Sequence, residues 1–250
     1  WIPADDHSFI TGLSLIEDDL DKQIDRTGTI ISPPNVTPAN LVSKTLSGIE
    51  TLAFFAQDTW KASDKVSLVA GVRHYSVDSE LKSSNDPLLV PKKTDDSHTI
   101  GSLALVFNAR EDLTWRFSWA QGYVFPTLLH LHTGSLFGQG NLTRPNPNLQ
   151  AEESENFEIG LRFQNETLTA DFAVFANQAD NYIASVRASN LPELGWSPRE
   201  NTYANLDTAE SRGAEFLLSK VLSHPDIEWY AQGSYIRREL EYASFTTTHN

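Results

Sequence analysis

Residues 112–123 read Asp-Leu-Thr-Trp-Arg-Phe-Ser-Trp-Ala-Gln-Gly-Tyr. Leu113, Trp115, Phe117, Trp119 and Tyr123 are apolar or aromatic, and Thr114, Arg116, Ser118, Ala120 and Gly122 between them are small or polar. Side chains of a β-strand alternate between two faces, so this pattern predicts one strand with a greasy face and a wet face. The greasy face is too long and too aromatic to lie against water, so it faces either a protein core or lipid.

Working outward, residues 124–151 form a connection rich in turn formers, with Phe125-Pro-Thr127, His130, His132 and Arg144-Pro-Asn-Pro-Asn-Leu149. Its prolines predict an ordered, non-helical loop. A second alternating segment follows, with Phe157, Ile159, Leu161 and Phe163 on one face and Glu158, Gly160 and Arg162 on the other. Upstream, residues 99–108 carry Leu103, Leu105 and Phe107 on one face. Residues 49–61 and 66–77 flank the tight turn Ala62-Ser-Asp-Lys65. Residues 168–186, 203–220 and 227–235 continue the pattern, and residues 7–19 show it weakly. The total is about nine strands.

The connections sort by length. Turns near 62–65, 109–112, 164–167 and 223–226 are short, whereas 21–47, 78–96, 124–151 and 187–201 are long and polar. Short turns at one end and long loops at the other are the asymmetry of an outer-membrane β-barrel, and a sandwich has no reason for it.

Composition narrows the function classes. A net charge of -14 argues against nucleic acid as a partner, because phosphate binding needs concentrated Lys and Arg. Without cysteine there is no disulfide, thiolate nucleophile or thiolate metal site. No apolar run is long enough for a transmembrane helix, but barrel strands need none. Asp18-Asp19 and Asp95-Asp96 lack the ligand spacing of a calcium loop and read as solvated charges, so no metal site is expected.

At Gln121-Gly-Tyr-Val-Phe-Pro-Thr127, Asn146-Pro-Asn-Leu149 and residues 152–161 the chain resembles the barrel of TonB-dependent outer-membrane receptors. Phe54-Phe-Ala-Gln-Asp-Thr-Trp60 with the following hairpin, and residues 205–216, resemble further parts of the same barrels. The resemblance implies an all-β, antiparallel transmembrane β-barrel segment, taken from a ring of about 22 strands around a plugged lumen. Residues 1–250 are then expected to be part of the barrel domain of a longer receptor, with the plug domain and both ends of the barrel outside them.

The function implied is that of an outer-membrane receptor, not an enzyme. It would bind an iron chelate at its extracellular face and import it with TonB-supplied energy through the plug. Its partners would be the chelate, the TonB complex and outer-membrane lipid, with no resident cofactor. The alternatives are a haem or haemoglobin receptor, or a small outer-membrane enzyme or adhesin, although no motif sets a nucleophile beside a base.

The expected ligand contacts are His130, His132, Arg144 and Tyr123. The two histidines, two residues apart, would point the same way in extended backbone and could jointly reach haem. Some haem receptors carry a histidine between an Arg-Ala-Pro box and an Asn-Pro-Asn-Leu box. Here the second box is present, but Val124 and Phe125 replace the first two residues of the other. The ferric siderophore is therefore the favoured cargo. Asn146-Pro-Asn-Leu149 also reads, more plainly, as a rigid turn leading into the next strand. Tyr123, Trp115, Trp119, Trp229, Tyr230 and Tyr235 fit an interfacial aromatic girdle.

Overall fold

A computed structural model describes residues 6–32, 35–87, 89–137, 141–195, 200–223 and 226–241. The chain forms one sheet. Nine long strands follow in order as an antiparallel meander: β1 (His7–Ser32), β2 (Asn35–Ser63), β3 (Val66–Ser84), β4 (Lys93–Arg110), β5 (Leu113–Val124), β8 (Glu152–Gln164), β9 (Leu168–Arg187), β10 (Asn201–Ser223) and β11 (Asp226–Glu241). Two short strands inside the connection after β5, β6 (Ser135–Phe137) and β7 (Asn141–Arg144), add to the edge of β10. Strands β1 and β11 lie at opposite ends of the strand order, so the sheet is an open arc.

Register turns the sequence alternation into rows. Phe107 lies opposite Trp115, Trp115 opposite Leu161, Leu161 opposite Phe172 and Phe172 opposite Phe216. Leu113, opposite Phe163, stands on the same face. Large apolar side chains on this face are open: Phe172 and Phe216 are each 50% exposed, and Leu13 of β1 is 71% exposed. An apolar face of this extent needs a nonaqueous neighbour, which makes it the lipid face.

The opposite face is polar. Arg116 donates two bonds to Asp171, at 2.7 and 3.3 Å, and Arg162 donates to the same carboxylate at 2.6 Å. Gly160, opposite Arg116 in the register, leaves room for that guanidinium, since a Cβ there would stand 3.0 Å from it.

Several boundaries depart from the sequence reading. Residues 21–47, expected to be an extracellular loop, continue β1 and β2, which pair without a break from His7 opposite Trp60 to Ser32 opposite Asn35. Thr27, Thr29, Ile30, Ile31, Val36 and Thr37 favour strand, and an antiparallel ladder extends cheaply once its register is set. Pro38 is tolerated because β2 there pairs with β1 alone, the β3 ladder starting only at Thr45 opposite Ser84. Pro33 and Pro34 lie outside the described residues. Similarly, β3 and β4 consume most of 78–96, which leaves residues 85–92 as the connection.

Connection 187–201 contains two 3-10 turns, Ala188–Asn190 and Pro192–Leu194; Trp196 and Pro198 of that loop lie outside the described residues. On β11, Trp229 and Tyr230 pair with Lys220 and Ser219, so neighbours expected in one girdle occupy opposite faces.

The buried hydrophobic core sits at the long-connection end rather than mid-sheet. Leu131, Leu149 and Tyr203 pack together, with Phe125 and Ile183 against them. That cluster gives the connection after β5 its own footing.

Candidate functional site

The connection from Val124 to Ala151 was expected to be non-helical, but Leu129–Thr133 is a single π-helical turn. Its backbone is held by Thr127, whose carbonyl accepts from the N–H groups of His130 and Leu131. Gly134 ends it at φ 65°, ψ -177°. A side chain at Gly134 would strike the Thr143 carbonyl and Pro145, so glycine is required by both conformation and space.

The helical turn separates the two histidines that an extended backbone would have aligned. His132 is buried, and its Nε2 lies 2.9 Å from Ser79 Oγ on the inner side of β3. His130 turns the other way and packs its ring on Tyr203 of β10, at 4.5 Å between centroids. The expected joint reach of the pair towards one ligand atom is therefore not what the structure brings together. Burial pushes the His132 pKa down to about 4, with the Lys92 charge adding to the effect. Burial also lowers that of His130, partly opposed by Glu152.

Arg144, at the end of β7, is a junction. Its Nε and Nη2 each donate to Glu200 at 3.0 Å, and Nη1 donates to Asp86 at 3.1 Å. One guanidinium thus ties the connection after β3, the connection after β5 and the residue before β10. Thr143 and Arg144 also pair in parallel with Asn201 and Thr202 of β10, on the edge where the described residues of β11 pair as far as Thr208.

The Asn146-Pro-Asn-Leu149 box is a staple. Asn146 Nδ2 donates to the Tyr203 carbonyl at 2.9 Å, its N–H donates to the His130 carbonyl at 2.7 Å, and its Oδ1 accepts from the Asn148 N–H at 3.0 Å. Leu149 then drops into the core beside Tyr203. The rigid-turn reading of this box accounts for each of these contacts.

Tyr123 stands where the β4–β5 ladder has already stopped, at Ser102 opposite Ala120. Its ring stacks on His98 at 4.9 Å and leans on Tyr75 at 5.2 Å, and its hydroxyl donates to Asp96 at 2.9 Å. His98 in turn meets Glu153 at 3.3 Å. Tyr123 is thus a wall residue rather than part of an outward girdle. Sequence reasoning missed Ser79, Asp86, Glu200 and Tyr203, because their partners lie more than fifty positions away. Only the period-two placement of Ser79 and Tyr203 at the ends of long strands could have hinted at them.

The connection therefore crosses the inner side of the arc, attached to β3 through His132 and to β10 through β7, Asn146 and Arg144. Lys22 of β1 reaches it as well, donating to the Gly134 carbonyl at 2.5 Å. Among the described residues no group of His, Asp and Glu is placed to hold a metal ion. What the arrangement offers is a fixed polar and aromatic surface inside the mouth of the arc.

Comparison with known proteins agrees with this architecture. Residues 7–249 match the family described as TonB dependent receptor-like, beta-barrel. A search of curated proteins finds no match. Among solved structures, the copper transporter OprC superposes with TM-score 0.71 at 14% identity, over 95% of this chain and 36% of that one. The ferric yersiniabactin uptake receptor FyuA from Yersinia pestis gives TM-score 0.60 at 20% identity, over 96% and 34%. The Serratia marcescens hemophore receptor HasR, solved with its hemophore HasA and heme, gives 0.61 at 16%, over 92% and 43%. The chain thus spans a little over a third of the length of such structures. Eleven strands among the described residues in one antiparallel-dominated arc, a lipid face, a polar inner face and the family match over nearly the whole chain make this a part of an outer-membrane barrel, and it belongs to the TonB-dependent receptor β-barrel family.

Proposed function

We propose that this barrel segment serves a receptor that binds an iron chelate, a ferric siderophore, at its extracellular face and imports it. In this reading a plug domain couples passage to a TonB complex, and binding shifts the receptor between two states of different affinity. The ligand is cargo, so no resident cofactor and no enzymatic step is needed. Arg144 and Tyr123 supply the contacts to an anionic chelate. Both already engage carboxylates, so the chelate exchanges one set of oxygen acceptors for another, and the planar fork of arginine suits that exchange.

The observation that carries the siderophore over haem is the π-turn. It sends His130 and His132 to opposite sides and commits His132 to Ser79. Haem as cargo is the second reading, because His130 Nδ1 is buried without a hydrogen-bond partner among the described residues and an imidazole nitrogen is what haem iron takes.

The test is uptake by the full-length receptor. His130→Ala with His132→Ala should leave ferric siderophore uptake largely intact, while Arg144→Ala should lower it at least tenfold. The reverse pattern, with haem uptake lost in the histidine variant, would establish the second reading. Uptake of both ligands unchanged by all three substitutions would take this loop out of the binding site.

A further inference from the structure

Three rows of the lipid face define its upper margin on β5, β8, β9, β10 and β11. Phe117, Ile159, Val174, Ala214 and Tyr235 face each other in register and are apolar. Four positions nearer the long connections, Gln121, Glu155, Gln178, Glu210 and Glu239 form a row that is polar throughout. Between them run Trp119, Phe157, Ala176, Arg212 and Arg237. The sheet thus passes from hydrocarbon-compatible to water-compatible over two repeats of the pleat, and two arginines stand on the row between.

Arg212 and Arg237 are directly opposite one another across the β10–β11 ladder. Like charges in that position repel, because their Cβ atoms lie only about 5 Å apart. Each is answered on its own strand two residues on, Arg212 by Glu210 at 2.7 Å and Arg237 by Glu239. The side chains remain open, 73% exposed for Arg212 and 71% for Arg237. The four residues line a hollow of about 310 Å³. A guanidinium presents five N–H donors and one carboxylate takes two, so donors remain for a further anion. An outward-facing arginine at this depth costs little, since the penalty for charge on a barrel's lipid face falls to about 0–1 kcal/mol near the interface.

We propose that Arg212 and Arg237 form a site for the phosphate of an outer-leaflet lipid headgroup, bridged between the two guanidinium groups. The lipid's acyl chains would run down over Ala214, Tyr235 and Phe216. The choice of lipid over a soluble anion follows from continuity: the hollow opens at the margin of the apolar band, and phosphate suits a pair of guanidinium forks better than it suits single charges. Glu210 and Glu239 hold the arginines apart and extended when no lipid is present. The site concerns the receptor's anchorage in its membrane and does not depend on which cargo is imported.

The test uses the full-length receptor in dodecyl maltoside, with retained lipid counted by native mass spectrometry. The probes are a diphosphorylated glucosamine-disaccharide lipid, its dephosphorylated counterpart and inorganic phosphate. The receptor should retain the phosphorylated lipid, and Arg212→Gln with Arg237→Gln should lower retention at least tenfold. Glu210→Gln with Glu239→Gln should raise it severalfold by freeing the guanidinium groups, which keeps the proposal testable if the arginine variant does not fold. Equal retention of the dephosphorylated lipid, retention unmoved by either pair of substitutions, or displacement by inorganic phosphate at the same concentration would overturn the proposal.

Discussion

Ser79 and His132, brought together from positions 53 apart in sequence, meet with Oγ and Nε2 2.9 Å apart and both residues buried. The contact joins the inner side of β3 to the π-turn of the connection after β5, and burial there favours neutral His132. In the folded protein the imidazole stays neutral down to about pH 4, whereas an unpacked histidine titrates near 6.5. The released loop therefore binds a proton that the attached loop refuses, so attachment is at full strength above about pH 6.5 and weakens as pH falls towards 4. Hydrogen exchange at residues 129–134 of the full-length receptor should accelerate over that window. His132→Gln should flatten the dependence, and a profile unchanged by that substitution would assign the effect elsewhere.

Arg144→Ala leaves the Glu200 and Asp86 carboxylates facing each other without their shared cation. The expected cost is about 1–3 kcal/mol, below that of a fully buried pair because these groups keep some solvent. Arg144→Lys should recover only part, since an ammonium cannot reproduce the two parallel bonds to Glu200. Protease sensitivity of the connections at 85–92 and 125–151 should rise together in the alanine variant. If only one loosens, Arg144 is not the link between them.

Gly134→Ala adds a methyl group where the Thr143 carbonyl already sits, at a φ that L side chains rarely adopt. Strain and overlap together should cost about 2–4 kcal/mol. The loss should fall on the pairing of β7 with β10 and leave the long strands intact, which amide exchange at Asn201 and Thr202 would report.

Phe117→Arg places a charge on the lipid face beside Ile159 and Leu105. Such a charge costs about 2–4 kcal/mol at mid-bilayer and about 0–1 kcal/mol at the interface, and Phe117, one row below the margin, falls between them at about 1–2 kcal/mol. Folding into vesicles of the full-length receptor should weaken by that amount, while Ser118→Arg on the opposite face should not behave in this way. Equal folding of the parent and the Phe117 variant would refute the assignment of faces.

The strands were legible wherever one face had to be apolar. In residues 113–119 and 157–163 alternation alone gives face, direction and length, because lipid imposes it. It failed in β1 and β2 beyond the apolar band, where nothing forces alternation and only β-branched residues and pairing sustain the strand. The turn at Leu129–Thr133 was hidden for a related reason: two histidines two apart look aligned until the backbone is known, and that backbone is set by Thr127, Gly134 and the packing of Leu131 rather than by a pattern. The partners of Arg144 could not be read at all, since Asp86 and Glu200 are brought to it by the register of the whole sheet.

The connection after β5 also has a geometric consequence. Fixed to β3 at one end and to β10 at the other, it is a chord drawn across an arc of six long strands. A chord of set length fixes the curvature of the arc it spans, so these strands cannot flatten or open independently while both ends hold. Strand pairing alone gives no such rigidity, because a ladder of hydrogen bonds resists sliding far better than bending. The barrel wall in this sector is therefore braced from inside, and its width at the mouth is set by side chains that never touch the lipid.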